Sequence, residues 1–290
     1  MTFDDESEFD KLDFQSNFKQ FGAPFVLGKN IKNDLYFINN AKEMHIFSVD
    51  QALMNLNFDA LQILPIAKFT GMANYFFRYG VMRRLNMLSS FRSFQSIIMP
   101  DRTVSLTIEQ TDEVCRDLSL IYINILGVLD NYAWVMVHQF GNEETKKARP
   151  ASIGLFKSTL AEDCNLKPAI DAVSSFRGWE SDIKDRRDPA AHRMPLYVPP
   201  AAYTPEEIAE VDRLDNLRVE ALLAENFQKV SDLRSDRTHI GNFVSVFLHD
   251  PGEKAIEIYP TLPEDIGQMV KIGRIVHAFL RDPTKARQEI

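Results

Sequence analysis

The sequence predicts a mainly α-helical protein: a helical bundle that carries one small β-hairpin near its C-terminus. Three observations indicate this fold class. Leu, Ile, Phe and Met are abundant, while only 12 of the 290 residues are glycine. Apolar residues recur at helical spacing in most segments after about residue 45. Only the runs 243–248 and 254–259, which flank an Asp-Pro-Gly turn, have the pattern of two paired strands.

The composition is that of a soluble globular protein, with 45% apolar and 26% charged residues. The formal net charge of −8 argues against a protein that coats nucleic acid with its whole surface, so any nucleic-acid contact must use a local basic cleft. The two distant cysteines, Cys115 and Cys164, indicate neither a disulfide framework nor a cysteine metal site. The acidic N-terminus lacks the pattern of a signal peptide, and we expect a cytoplasmic protein without membrane contact.

The chain divides into three predicted segments. Residues 1–45 form an acidic arm that is mobile or docked at the periphery, because acidic residues alternate there with spaced phenylalanines and no periodicity is clear. Residues 46–200 form the core of the helical bundle. Residues 201–290 add a helix, the β-hairpin and a last helix to this core.

The first helical pattern of the core extends from about Val49 to Met99, and Pro65 should kink or restart it. Its second half continues into the stretch Tyr75 to Arg102, which interleaves arginines, including Arg83 and Arg84, with tyrosines and phenylalanines. This interleaving is typical of surfaces that bind single-stranded nucleic acid through phosphate contacts and base stacking. The alternative is an amphipathic helix whose aromatic residues face the core and whose arginines face water.

A second helix is predicted from Thr103 to Phe140, with a capping pattern at Thr107 to Gln110 and a stop at Gly141. Its second half is apolar nearly all round, which indicates a central helix of a bundle. A membrane span is the weaker interpretation, because Asn124 and Asp130 interrupt the apolar run and ionisable groups inside a membrane are costly.

One stripe of this second helix carries Asp130, Trp134 and His138, at i, i+4 and i+8, with Asn131 beside it. A carboxylate on so apolar a helix needs a partner. The arginines near residue 187 are the natural candidates.

The remaining helices are predicted from their caps and spacing. A helix that passes through Ile170 and Ile183 leads into an arginine-rich segment. Thr204 and Pro205 form a clear helix start, and this helix is predicted to continue to about Leu233. A last helix follows the hairpin, from roughly Pro263 to Leu280.

The segment Asp185 to Arg193 holds three arginines, two aspartates and a histidine. Arginine is a permanent cation suited to phosphate, and histidine changes charge near neutral pH. Because a proline restricts the residue before it, Asp188 is predicted to cap a new helix that has Pro189 at its first position. Arg187 and His192 would then converge on a helix N-terminus, which favours an anion. The alternative is structural, with these cations paired to nearby aspartates and His192 hydrogen-bonded at an interface.

The string from Arg187 to His192 has the form Arg-x4-His, and it resembles the signature of the HEPN (higher eukaryotes and prokaryotes nucleotide-binding) superfamily. The extended string 187–200, with 129–134 upstream, is similar to an uncharacterised bacterial branch near this superfamily. The resemblance covers about residues 50–200. It implies a helical bundle, commonly a dimer, and metal-independent endoribonuclease activity in toxin–antitoxin or phage-defence systems. The chain departs from the family pattern where Pro195 and the prolines after it force an extended exit.

The resemblance also implies roles for individual residues. Arg187 would bind the scissile phosphate, His192 would act as general base or acid, and Asp188 would orient one of them. Cleavage would then leave a 2′,3′-cyclic phosphate and need neither metal nor cofactor. The residues expected to contact RNA or phosphate are Arg186, Arg193, Arg83 and Arg84, and those expected to support the site are Asp130, Asn131 and Tyr197.

A non-catalytic protein is the alternative function, binding RNA or a nucleotide or acting as a dimeric scaffold. In either case we expect RNA or nucleotide as the partner and a homodimer as the assembly, with an antitoxin or another protein as a further partner. The six histidines lack the spacing of metal ligands, which makes a metallohydrolase the weakest class.

Overall fold

The computed structural model describes residues 32–100, 102–192, 194–249 and 255–282, with side chains from residue 46 onward except that of His192. Residues 1–31 of the predicted N-terminal arm lie outside the described residues, whereas residues 32–45 are helical and belong to the first helix rather than to an arm. The first helix, α1 (Lys32–Ala67), begins before the predicted start at Val49 and ends two residues after Pro65. The chain then turns at Lys68, whose φ is 45°.

The predicted stretch of arginines and aromatic residues folds into short helical pieces. These are α2 (Gly71–Tyr75), a π-helical segment (Phe76–Met82), α3 (Arg83–Met87) and α4 (Ser90–Ile97). Phe77, Phe91 and Phe94 are fully buried, whereas Tyr75 and Tyr79 are each 54% exposed. The amphipathic interpretation therefore holds for the phenylalanines, and the two tyrosines remain on the surface.

The central helix α5 (Ile108–Phe140) confirms the predicted cap and stop. The Thr107 hydroxyl accepts the Gln110 amide and the Gln110 side chain accepts the Thr107 amide, each at 3.1 Å, and Gly141 follows the last turn. The helix is long and apolar enough to cross a membrane, but 72% of its most apolar window is buried within the protein. This burial is typical of a core helix.

Four shorter helices follow α5 and bring the chain back across it. They are α6 (Glu143–Lys146), α7 (Ser158–Glu162), α8 (Lys167–Val173) and α9 (Arg177–His192). The helix predicted through Ile170 and Ile183 is divided by a 3₁₀ turn at Ser174–Phe176. After α9 the chain is extended, as the prolines from Pro195 onward predict, and Tyr197 pairs with Leu248 through backbone hydrogen bonds.

The next two helices form a hairpin where the sequence predicted one helix. The capping box of Thr204 and Glu207 confirms the start of α10 (Pro205–Leu223), but α11 (Phe227–Arg237) begins anew after Glu225, whose φ is 54°. The Asn226 side chain accepts the Lys229 amide and caps this second helix, a role that asparagine favours. The hairpin has its own small apolar cluster, formed by Leu214, Ala221 and Leu233 with their neighbours.

The predicted β-hairpin is present but short. Strands β1 (Val246–Phe247) and β2 (Ile256–Glu257) pair antiparallel, with Val246 opposite Glu257. The flanking residues are engaged elsewhere: the Phe243 amide donates to Thr103, and Leu248 pairs with Tyr197. The last helix, α12 (Ile258–Arg281), starts earlier than predicted and has extended backbone angles at Tyr259.

One large core joins both ends of the described chain. Helix α12, predicted as an appended element, packs along α1 and α5 and contributes buried residues throughout its length. Gly273 permits this approach, because a Cβ there would lie 2.7 Å from a Cδ atom of Leu56. The bundle therefore includes the C-terminal helix, and the α10–α11 hairpin alone has a separate cluster of buried residues.

Candidate functional site

The inner face of α9 is fixed by a buried ion pair. Trp179, Ile183 and Arg186 lie at i, i+4 and i+7, so they share one stripe of the helix. Ile183 is fully buried, and Nη1 of Arg186 lies 2.7 Å from both carboxylate oxygens of Asp265 on α12. Trp179 Nε1 and the Tyr122 hydroxyl also donate to this carboxylate, each at 2.9 Å. The four polar groups hold one face of α9 against α5 and α12.

The neighbouring stripe of α9 lines a pocket of about 300 Å³. This stripe carries Glu180, Lys184 and Arg187, again at i, i+4 and i+7, one residue after the buried set. Two further walls come from α5 and from the segment between α6 and α7. They contribute Leu126, Leu129, Asp130 and Trp134, and Pro150, Ala151, Ile153, Gly154, Leu155, Phe156 and Lys157. We refer to this cavity as the α5–α9 pocket.

The α5–α9 pocket has a mixed but positive charge. Lys157, Lys184 and Arg187 provide three cations, against the carboxylates of Asp130 and Glu180. Lys184 forms an ion pair with Glu180. Arg187 has its Nε 3.3 Å from a carboxylate oxygen of Asp188, yet this buried atom has no hydrogen-bond acceptor within the described residues.

Asp130 lines the same pocket as Arg187, one of the arginines predicted as its partner. Partial loss of water raises the pKa of Asp130, while the charges of Arg187, Lys184 and Arg84 act to lower it. Asp130 is nevertheless an exposed residue. The partial loss of water at Asp130 is therefore that of a residue on a concave wall rather than in a buried core.

The predicted helix start at Asp188 and Pro189 is wrong. Helix α9 continues through Pro189 to His192. On a continuous helix five residues turn through about 140°, so the backbone directs Arg187 and His192 to different faces. The proline lies in the last turn of α9, and the contacts of Arg186 about one turn earlier and of Trp179 about three turns earlier hold the helix in place. The side chain of His192 and all of Arg193 lie outside the described residues.

The structure gives Arg186 a partner other than the predicted phosphate. Its side chain is only 18% exposed, its guanidinium is engaged by Asp265, and it does not line the pocket. Tyr197 does not line it either, and its backbone instead bridges to Leu248. The structure therefore brings two of the predicted site residues, Arg187 and Asp130, into the pocket.

Arg84, on α3, does not line that pocket but packs against α5 near Asp130, whose pKa its charge acts to lower. Its Nε donates to Asn131 at 3.1 Å and its Nη1 donates to Asn124 at 3.2 Å. Asn131, predicted to support the site, is thus a positioning partner of Arg84. Arg83, the next residue back, is exposed and stacks over the Tyr79 ring at 4.8 Å.

Five rings form a continuous aromatic surface beside the pocket, which we call the aromatic surface: Tyr75, Phe76, Tyr79, Trp134 and His138. Phe76 stacks on both Trp134 and His138, with centroids 5.4 Å apart in each case. Tyr75 contacts Phe76 edge-on at 5.7 Å and Tyr79 at 5.3 Å. Because Trp134 also lines the α5–α9 pocket, the two features are contiguous.

Sequence reasoning missed three charged residues of the pocket, Lys157, Glu180 and Lys184. The i, i+4, i+7 spacing of Glu180, Lys184 and Arg187 was a signal for two of them. No comparable signal marks Lys157, which reaches the pocket only because the chain between α6 and α7 folds over α5.

No three His, Cys, Asp or Glu side chains group as metal ligands within the part of the chain that the structure describes. Comparisons with family models, with curated proteins and with solved structures gave no match for this chain.

Proposed function

We propose that the protein binds single-stranded RNA, with a phosphate held in the α5–α9 pocket and bases stacked on the aromatic surface. The observation that carries the proposal is the position of Trp134. This residue lines the pocket with Lys184 and Arg187, and it also stacks with Phe76 in the aromatic surface.

The charges and rings match what single-stranded nucleic acid needs. Cations that track the backbone and aromatic side chains that stack on bases are the two recurring parts of such sites. Lys157, Lys184 and Arg187 supply the first part, and the exposed Tyr75 and Tyr79 supply the second. The overall charge of −8 is no obstacle, since these cations are concentrated at one place.

The test is fluorescence anisotropy with a labelled, mixed-sequence RNA oligonucleotide at several salt concentrations. We expect Arg187→Gln to weaken binding and to reduce the slope of log K against log salt by about one. Tyr79→Ala should weaken binding with little change of slope, because stacking releases no counterions. Arg213→Gln is the matched control, since Arg213 is an exposed arginine of α10 that pairs with Glu210.

Absence of RNA binding by the wild type, or an equal loss in Arg213→Gln, would contradict the proposal. Competition by AMP at a concentration close to that of RNA nucleotides would identify a single nucleotide as the bound unit. Unaltered binding in both Arg187→Gln and Lys184→Gln would remove the pocket from the RNA site.

The second candidate function is a metal-independent endoribonuclease of the HEPN type. The observation that favours it is the ion pair of Arg187 Nε with the Asp188 carboxylate at 3.3 Å, since Asp188 is expected to orient Arg187 or His192. His192 would supply the proton transfer at the ribose 2′-hydroxyl or at the leaving oxygen. Because the backbone of α9 separates Arg187 and His192, a homodimer that joins Arg187 of one copy to the partner's His192 would complete such a site.

Cleavage is tested with purified protein and RNA in EDTA. The wild type should leave 2′,3′-cyclic phosphate ends, and His192→Ala and Arg187→Ala should abolish them while His192→Ala still binds RNA. Equal residual cleavage in all three proteins would assign the activity to a contaminant, and RNA binding would remain as the only proposed function. Light scattering after gel filtration measures whether the protein is the expected dimer.

A further inference from the structure

A second cavity, of about 230 Å³, lies at the opposite end of α5. It is enclosed by the first turn of α5 and by the α10–α11 hairpin. Ile108, in its wall, precedes Asp130 of the α5–α9 pocket by 22 residues, which corresponds to about 33 Å along the helix. The two cavities are therefore separate sites.

Three arginines converge on this second cavity: Arg218 from α10, and Arg234 and Arg237 from α11. Arg234 is well paired, with Nη1 2.8 Å from a carboxylate oxygen of Glu109. Arg218 and Arg237 instead share the carboxylate of Asp215. Nη2 of Arg218 lies 3.5 Å from its Oδ1, and Nε of Arg237 lies 3.4 Å from its Oδ2.

The shared carboxylate does not satisfy the two arginines. The Nε atoms of Arg218 and Arg237 are buried and make no hydrogen bond among the described residues, although Arg237 Nε lies 3.4 Å from Oδ2 of Asp215. Their side chains are only 26% and 19% exposed, so water has limited access to them. Buried N–H groups that lack an acceptor are costly, and an oxyanion would supply the missing acceptors.

The local charge also favours an anion. The three arginines are opposed by Glu109 and Asp215, which leaves one positive charge. The walls include the first turn of α5, a 33-residue helix whose N-terminal end carries the positive end of the helix dipole. Burial of the cavity walls limits screening by solvent.

We propose that this cavity binds a phosphate group, either inorganic phosphate or the terminal phosphate of a small phosphomonoester. Arg218 and Arg237 donate to its oxygens, and Glu109 opposes it by pairing with Arg234. A bound phosphate thereby joins the α10–α11 hairpin to the N-terminal end of α5. The site is independent of the proposed RNA function.

Calorimetric titration of the full-length protein with inorganic phosphate, and in parallel with AMP, tests the proposal. Arg237→Met and Arg218→Met should each weaken binding by about tenfold or more, the usual effect of removing a charge-assisted hydrogen bond. Glu109→Gln should tighten binding several-fold, an effect that misfolding cannot produce. Arg213→Met, on the outer surface of the same hairpin, should bind like the wild type.

Similar affinities for phosphate and AMP would identify the phosphate group itself as the ligand, and tighter binding of AMP would identify a phosphomonoester. Absence of phosphate and AMP binding by the wild type at millimolar concentrations would overturn the proposal. So would a Glu109→Gln variant that binds no more tightly than the wild type, or an Arg213→Met variant that loses as much affinity as Arg237→Met.

Discussion

Nη1 of Arg186 lies 2.7 Å from both carboxylate oxygens of Asp265, and this ion pair ties α9 to α12 inside the core. Burial raises the pKa of Asp265 to about 6, against the opposing effects of Arg186, Trp179 and Tyr122. The pair sets the rotation of α9, and that rotation turns Lys184 and Arg187 toward the α5–α9 pocket. Arg186, which the sequence predicted to bind phosphate, therefore acts on the pocket indirectly, by positioning Arg187.

Arg186→Met should destabilise the protein more at pH 8 than at pH 5. Asp265 ionises at a higher pH in the folded protein, about 6, than in the unfolded chain, 3.8, so its ionisation costs stability as the pH rises through this window. Without Arg186 the pKa of Asp265 in the folded protein rises further, so ionisation of Asp265 lowers the free energy of unfolding by more. We expect the free energy of unfolding to fall by about 3–5 kcal/mol at pH 8, the usual cost of breaking a buried pair.

Urea denaturation at both pH values measures this effect. Arg213→Met, which removes an exposed arginine from α10, is the control and should behave like the wild type at either pH. An equal loss of stability at pH 5 and pH 8 would show that Asp265 does not titrate in the predicted window.

The sequence predicted the locally determined ends of α5 and α10. The capping boxes at Thr107 and Thr204 satisfy amides within three residues, so nothing distant has to be known. The predicted cap at Asp188 failed because tertiary contacts decide α9: Trp179 and Arg186 hold it to Asp265, and the helix continues through Pro189. Local preference gave the wrong boundary where packing set the outcome.

The residues of the candidate site also fall into those that the sequence could predict and those that it could not. Arg187 and Asp130 could be singled out by residue type and by the need of a carboxylate for a partner. Lys157 could not, because its segment reaches the pocket only through the fold of the whole bundle. The sharing of Trp134 between the pocket and the aromatic surface is likewise a product of how α5 packs against the π-helical segment.

His277→Gln should reduce the sensitivity of the protein to acid. Burial lowers the pKa of His277 to about 3, and its Nδ1 lies 2.7 Å from Asp59, a carboxylate that Arg281 also engages. A histidine with a lowered folded pKa stabilises the fold above pH 6.5, its ordinary value, and loses this contribution as the pH falls toward 3. The free energy of unfolding therefore falls by at most about 1.4 kcal/mol for each pH unit.

Unfolding free energies between pH 7 and pH 4 measure this slope. His277→Gln should be less stable than the wild type at pH 7, because contacts with Asp59 and Tyr132 are lost, but its stability should fall less steeply. His239→Gln, at an exposed position, is the control. Parallel curves for His277→Gln and the wild type would exclude His277 as a source of acid sensitivity.

Gly273→Ala should destabilise the packing of α12 on α1. The added Cβ would lie 2.7 Å from one methyl of Leu56 and 3.3 Å from the Tyr132 hydroxyl, and both side chains are fully or almost fully buried. Overpacking of this kind costs about 1–3 kcal/mol, and the gain in helix propensity offsets up to about 1 kcal/mol of it. Gly178→Ala, on the exposed side of α9 with no atom within 4 Å of its Cβ, should be neutral or slightly stabilising. Thermal unfolding compares the two, and equal melting temperatures would contradict the close approach of α1 and α12.

Fluorescence should report occupancy of the α5–α9 pocket through a single residue, a prediction that depends on the proposed RNA function. The chain has two tryptophans. Trp134 is half-buried and lines the pocket, whereas Trp179 donates its indole N–H to Asp265 in the core. A base that stacks on the aromatic surface would quench Trp134 and leave Trp179 unchanged.

Titration with RNA should therefore quench Trp179→Phe by a larger fraction than the wild type, and it should leave Trp134→Phe nearly unquenched. If Trp134→Phe retained the full quench, the bound nucleic acid would lie near Trp179 rather than in the pocket, and the aromatic surface would have no part in binding.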